Sequence, residues 1–413
     1  MDYRDEIYQT AQPEQELAFP IEEYAARLDK VRQAMSRAGV DCLFITSPES
    51  MYYICGYVCM WYQTESPLEW PPSNGMAVHV DHDFIIHFET EREAVLTRTF
   101  TSTPDTRFFP KDNYRDGTAF IANELKSAGW LAGNVALEYW SMRPNKVVHE
   151  RCQQAFEAVG ATVIDGSEII RDVRWIKSDA EMACLNEAAR IANAGLVAAI
   201  GIIQPGMTEL EVQGEILRAL TAAGGEMPAM MLPVISGKKS NATHAISTRK
   251  KLQQGETLFI DLAGVHKRYH INAARTFSLG EPADDIKQTA STAAGVMNVV
   301  RDCLRPNLPV AELNQRVMDY YHQHQLWQSR GWIGGYEMGI AFLSDWVGNF
   351  VYDPLVEKNA DRLFEPGTVV NHESQIFLPR HSGQYFMVES LLFGDDDVQL
   401  ATESVDYDLI VIE

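Results

Sequence analysis

The chain has 413 residues, 46% of them hydrophobic and 22% charged, which is an ordinary globular balance. That length exceeds one ordinary core, so two domains are expected. The net charge of −22 argues against nucleic acid and anionic membrane as partners, and it tolerates cationic or zwitterionic small molecules.

The N-terminal sequence MDYRDEIYQTAQPEQE is acidic and polar, unlike a signal or transit peptide. The longest uncharged run, Ile191 to Thr208, is interrupted by Asn193, Gly195, Gly201, Gln204, Pro205 and Gly206, so it reads as a buried helix and not a membrane span. Cys42, Cys55, Cys59, Cys152, Cys184 and Cys303 show no zinc spacing and suit reduced thiols in a cytoplasmic protein.

Residues 1–19 read as a loose arm, followed by an α/β domain over residues 20–174. Tyr24 to Ala38 has helical spacing, with Tyr24, Leu28, Val31 and Met35 on one face, and it stops at Gly39. Strands are expected at Asp41–Thr46, Met76–Val80, Phe84–Phe88, Val135–Glu138 and Thr162–Ile164. Helices are expected at Ala119–Ala128 and Lys146–Ala158. No Gly-rich phosphate loop follows any strand. Residues 52–72 read as a loop carrying Tyr52, Tyr53, Tyr57, Trp61, Tyr62 and Trp70. Such aromatics pack against a neighbouring domain or subunit, or wall a site for a cation.

A second domain is expected over residues 175–413. Ser178 with Glu181 and Thr208 with Glu211 form capping boxes that start two helices. Pro205, Thr208 and Glu211 match Pro306, Pro309 and Glu312 at a constant offset, which reads as a duplicated helix pair. Strands at Met231–Ser236, Thr257–Leu262, Tyr269–Leu279, Val369–Phe377 and Phe386–Phe393 complete a curved sheet backed by helices, an α+β arrangement.

Four polar clusters interrupt this apolar pattern. They are Asn241-Ala-Thr-His244, Asp261 in a buried strand, Glu373 in VVNHES and Glu389 in MVESLLF. An acid inside an apolar strand is costly unless paired, and three of them with a histidine suggest one cleft.

These residues resemble the creatinase, prolidase, aminopeptidase P and methionine aminopeptidase family. The resemblance implies a C-terminal pita-bread domain behind a smaller creatinase-type N-terminal α/β domain. In the metal-dependent members a histidine is followed by two aspartates, a second histidine and two glutamates. His244 matches the first histidine and Asp261 the first aspartate. Tyr269-His-Ile-Asn272-Ala-Ala-Arg275-Thr276 puts Asn272 at the second aspartate, and Gly335-Tyr336-Glu-Met-Gly339 puts Tyr336 at the histidine. Glu373 and Glu389 match the glutamates. Asn272 offers a neutral oxygen and Tyr336 is a poor ligand near neutral pH, so a metal-free site with no cofactor is expected.

The resemblance to metal-independent branches implies hydrolysis of a C–N bond in a cyclic amidine or guanidine, as in ectoine hydrolase or creatinase. Creatinase has a glutamate where Ala274 stands, so creatine itself fits poorly. The expected catalytic set is His244, Asp261, Glu373 and Glu389. His244 would be the general acid/base, and Asp261 either a clamp for the cation or a nucleophile. Tyr336, His270, Asn272, Trp61, Tyr62 and Asp345 are the expected substrate contacts. His372 is expected on the opposite face of its strand, and Arg275 in a structural ion pair. A metal-dependent Xaa-Pro dipeptidase and a non-catalytic binding module are the alternatives. The resemblance to creatinase also implies a homodimer, with the aromatic loop near the partner's site.

Overall fold

The computed structural model describes residues 3–58, 74–110, 117–141, 143–353, 355, 359 and 361–413. Trp61, Tyr62, Trp70 and Cys59 lie outside the described residues, and so does most of the aromatic loop. The chain divides into two compact units, Met1–Arg174 and Trp175–Glu413.

The first unit opens with helix α1 (Tyr3–Thr10), so the expected loose arm carries a helix. Arg98 holds it by donating to the carbonyls of Tyr8 and Ala11. Helix α2 (Ile21–Ala38) buries Tyr24, Leu28, Val31 and Met35 and ends at Gly39. Gly39 has φ 67°, a left-handed conformation open to a residue without Cβ, and its N–H caps the last turn. Strand β1 (Cys42–Ile45) leads into helix α3 (Pro48–Cys55). Ser47 caps that helix and Pro48 occupies its first turn. Tyr52 and Tyr53 are therefore buried helical residues, not loop residues.

Strands β2 (Gly75–His79) and β3 (Ile85–Glu89), helix α4 (Ala94–Phe100) and strand β4 (Asp105–Phe108) follow. Helix α5 (Gly117–Ser127), strand β5 (Asn134–Leu137), helix α6 (Lys146–Ala158), strand β6 (Thr162–Asp165) and helix α7 (Ser167–Trp175) come next. The sheet runs β4-β3-β2-β1-β5-β6, and its core joins Phe44, Phe88, Ile121, Leu125 and Phe156. Burying each such side chain contributes roughly 1.5–3 kcal/mol.

The second unit begins with helices α8 (Asp179–Ile202) and α9 (Glu209–Ala222), each started by the expected reciprocal capping box. Strands β7 (Val234–Ser236), β8 (Thr257–His266) and β9 (Tyr269–Leu279) follow. A second helical block contains α10 (Asp284–Ala294), α11 (Val296–Cys303), the two-residue strand β10 (Leu308–Pro309) and α12 (Val310–Gln323). It is followed by β11 (Arg330–Tyr336), β12 (Phe350–Tyr352), β13 (Leu363–Phe364), β14 (Val369–Phe377) and β15 (Gln384–Phe393), with short β16 (Val398–Leu400) and β17 (Ile410–Ile412) last.

The main sheet runs β12-β11-β14-β15-β9-β8-β7, with β16 beside β15 and β17 beside β9. Alternation gives it two unlike faces. Val370, Ile376, Tyr385, Met387 and Leu391 point back into a core with Val300, Leu313, Val317 and Tyr321 of the second helical block. Helix α8 lies on the back of β8, so close that a Cβ on Gly264 would sit 2.0 Å from the Ala188 carbonyl oxygen. The helices thus occupy the back, and the front face carries the polar residues.

Candidate active site

The strand register aligns the front-face residues in two rows. Asp261 opposes Ala274, Ala274 opposes Val388, and Val388 opposes Glu373. Directly opposed residues share a face, so this row has a carboxyl at each end and small apolar residues between. In the next row Asn272 opposes Ala263 and Asn371 opposes Ser390, while the Tyr336 N–H donates to Asn371 Oδ1 at 2.8 Å.

Hydrogen bonds join the rows. Asn272 Nδ2 donates to Asp261 Oδ1 at 2.6 Å and to the Leu262 carbonyl at 3.1 Å. Asn272 Oδ1 accepts from the Tyr336 hydroxyl at 3.0 Å and from Asn371 Nδ2 at 3.2 Å. Gln375 Nε2 donates to Glu373 Oε1 at 2.5 Å. Asn272 and Asn371 have no exposure, whereas Asp261, Glu373, Tyr336 and Gln375 retain 8%, 6%, 6% and 6%, so a ligand reaches these four.

Burial dominates the acid–base state. It pushes the Asp261 carboxyl up to about 7 despite the Asn272 hydrogen bond, with the charge of Asp345 adding to the rise. Burial and then the neighbouring Asp261 charge push Glu373 up to about 8, against the Gln375 bond. Burial, Glu373 and Asp261 hold the Tyr336 phenol well above its ordinary value, so it stays a proton donor. Near neutral pH both carboxyls therefore titrate, and the charge on Asp261 favours the protonated form of Glu373.

This arrangement has a stability signature. Both carboxyls have folded pKa values above the ordinary carboxylate range near 4, so between about pH 4 and 8 the native state holds more protons than the unfolded chain. Their contribution to stability must fall as pH rises through that window, by at most about 1.4 kcal/mol per pH unit per group. Glu373→Gln is expected to gain stability relative to wild type as the pH is raised from 5 to 8, measured by urea unfolding. A difference that stays flat or shrinks would show that Glu373 is not held protonated.

The structure places Asp261, Asn272, Tyr336 and Glu373 on one face, and it engages Glu389 and His270 elsewhere. Glu389 opposes His372 on the back face, not Asp261 or Glu373 on the front. Its Oε2 pairs with Arg275 Nη2 at 2.9 Å and accepts from Thr402 Oγ1, and its Oε1 accepts from the Thr402 N–H. Both partners of this ion pair are fully buried. Glu389 is thus a structural residue in this geometry, and the front-face position beside it belongs to Val388.

His270 is also structural in its contacts. Its Nδ1 meets the Arg268 carbonyl at 2.8 Å and its Nε2 accepts from the Ala229 N–H at 3.0 Å. Burial lowers it to about 3, so the ring is neutral and has both nitrogens engaged by backbone. His372 lies on the back face against Tyr352 and Ser374. Asp345 is exposed and accepts the Val347 N–H in a turn.

His244 sits on an exposed stretch of the loop between β7 and β8. The site is reached through its neighbour: Thr243 Oγ1 donates to Gln375 Oε1 at 3.0 Å and accepts from Gln384 Nε2 at 3.0 Å. The base of the loop is clamped by buried Glu209, which accepts from Ser236 N at 3.0 Å and Thr248 N at 2.8 Å and pairs with Lys239.

Asn371 and Gln375 belong to this site and were not singled out from the sequence. The signal for both was present, because Asn371, Glu373 and Gln375 alternate along one strand and must share its face. Trp346 is buried beside the Tyr336 phenol, where its indole opposes the rise that burial causes.

Fold and site together define a two-domain hydrolase of the creatinase/prolidase type. Residues 183–396 match the model for metallopeptidase family M24, and residues 27–176 match the creatinase/prolidase N-terminal domain, so the chain belongs to family M24. Ectoine hydrolase of Halomonas elongata is 26% identical over 362 residues, covering 80% of this chain and 84% of that protein. Creatinase of a Bacillus species is 23% identical over 382 residues, covering 91% of this chain and 89% of that protein. The structure of an Xaa-Pro dipeptidase from Bacillus anthracis superposes with a TM-score of 0.78 at 19% identity, covering 94% of this chain and 99% of that one.

A metal centre is implied by the family's description, and this donor set does not fit one. Two metals need bridging carboxylates. Here the front face offers Asp261 and Glu373, two amides and a protonated phenol, with Val388 in the row between the acids. Asn272 Oδ1 already accepts two hydrogen bonds. Among the described residues no group of three or more His, Cys, Asp or Glu is placed to hold an ion.

Proposed function

We propose that the protein hydrolyses a non-peptide C–N bond in a small cationic or zwitterionic metabolite carrying an amidine or guanidine. The observation that carries this reading is the string Asp261–Asn272–Tyr336 on one face with Glu373, two buried acids held high in pKa among neutral hydrogen-bond partners. An amidinium between the two carboxyls supplies the positive charge that relieves their repulsion. The ionised carboxyl takes a proton from water as its oxygen bonds to the amidine carbon. The protonated carboxyl gives its proton to the departing nitrogen as the C–N bond breaks. Each water adds one hydroxyl to carbon and one proton to the pair, so the pair is restored after each turnover. Tyr336 donates to oxygen or nitrogen developing negative charge. His244, on the exposed loop tied to the site through Thr243, is proposed to assist proton transfer when substrate closes the site.

The relatives' names support this class of chemistry, since one is an ectoine hydrolase and another a creatinase. The Xaa-Pro dipeptidase reading draws on the structural neighbour's title. The donor set weighs against it. Incubation with ectoine, hydroxyectoine, creatine, other amidines and guanidines, and Xaa-Pro dipeptides, followed by mass spectrometry of products, tests the proposal. Ring opening or amidine cleavage is the expected result. Cleavage confined to dipeptides would overturn it, and binding without turnover would favour a binding module.

A further inference from the structure

A second feature lies along β11, before Tyr336. Trp327, Arg330, Gly331, Trp332, Ile333, Asp353 and Leu355 line a cavity of about 180 Å³. A water molecule's share of liquid volume is about 30 Å³, so the space suits a molecule of a few heavy atoms. Its two charged residues have unusual surroundings. Arg330 lies over the Trp327 ring at 3.8 Å from its centroid and donates through Nη1 to the Trp327 carbonyl at 2.5 Å. His322 also stacks on Trp327, with ring centroids 4.8 Å apart. Among the described residues no carboxylate pairs with Arg330, although the chain carries a net charge of −22. A guanidinium held flat by stacking, with donors left over, is preorganised for bidentate contact with a carboxylate.

Asp353 supplies the opposite charge. Its Oδ2 accepts from Trp332 Nε1 at 3.1 Å and its Oδ1 from the Leu355 N–H at 2.8 Å. Those bonds fix the carboxylate in place and leave each oxygen a further acceptor site. Trp332 and Leu355 contribute apolar surface to the same cavity.

We propose that this cavity is a binding site for a small α-amino acid, its carboxylate on Arg330 and its ammonium on Asp353. The assignment does not depend on the reaction proposed for the Asp261–Glu373 pair. The test is isothermal calorimetry and tryptophan fluorescence on the full chain, titrated with L-alanine and with propionate, its analogue lacking the ammonium. Saturable alanine binding is expected, with propionate at least tenfold weaker. Arg330→Gln should weaken alanine at least tenfold, and Asp353→Asn should remove most of the preference for alanine over propionate. The absence of saturable alanine binding, undiminished binding in Arg330→Gln, or equal binding of propionate by wild type would each overturn the assignment. The ligand comparison uses wild-type protein, so it stands even where a variant fails to fold.

Discussion

Glu389→Ala is expected to cost about 3–5 kcal/mol of stability, because it strips the partner from a fully buried guanidinium. Arg275 staples three segments. Its Nη1 donates to the carbonyls of Ala274 and Val388, its Nε to that of Asp406, and its Nη2 to Glu389 and the Thr402 carbonyl. The carbonyls remain in the variant, but the charge loses its counter-ion in a fully buried site. The double change Arg275→Met with Glu389→Leu should be much less damaging, since no charge is then left buried. Urea unfolding of the three proteins measures this. Turnover per folded molecule should persist in Glu389→Ala, because its carboxyl lies on the face away from Asp261. A stable Glu389→Ala protein that has lost all turnover would place Glu389 back among the reacting groups.

Glu373→Gln should show the reverse pattern. It removes one of the two acids with a raised pKa, and turnover is expected to fall by about 10²–10⁴. Stability at pH 8 should rise, since the amide no longer resists ionisation. The pH–rate profile of wild type should be bell-shaped, with apparent values that belong to the Asp261–Glu373 pair, pushed up to about 7 and about 8. In the variant one limb should vanish. His244→Ala serves as a comparison: a loss of turnover with both limbs intact fits a role on the loop outside the pair. A Glu373→Gln enzyme within tenfold of wild type would refute the proposed acid–base role.

Much of the fold was legible in the sequence because its signals are local. The capping boxes at Ser178 and Thr208, the Gly39 stop and the apolar face of Tyr24, Leu28, Val31 and Met35 each act within a few residues. Helix α3 was missed because aromatic residues dominated the reading of 52–72, although Ser47-Pro48 is a good helix start. The site was partly legible for a different reason. An acid in an apolar strand stands out, but which face it uses depends on register, and register is a tertiary property. Asp261 and Glu373 fell on the front. Glu389 looked equivalent in sequence, and its pairing opposite His372 turned it to Arg275. His270 shares a strand face with Asn272, yet the Ala229 and Arg268 backbone groups claim its ring. Those partners lie in segments whose approach no spacing rule announces.

The central claim is that Asp261 and Glu373 perform hydrolysis as an acid pair, with the substrate's own positive charge in place of metal ions. Its most direct test is turnover of a cyclic amidine or guanidine by protein dialysed against a strong chelator, with residual Mn, Co, Fe and Zn counted by mass spectrometry. The account predicts full turnover with metal far below one ion per chain. Activity that disappears on chelation and returns with stoichiometric dication would contradict it.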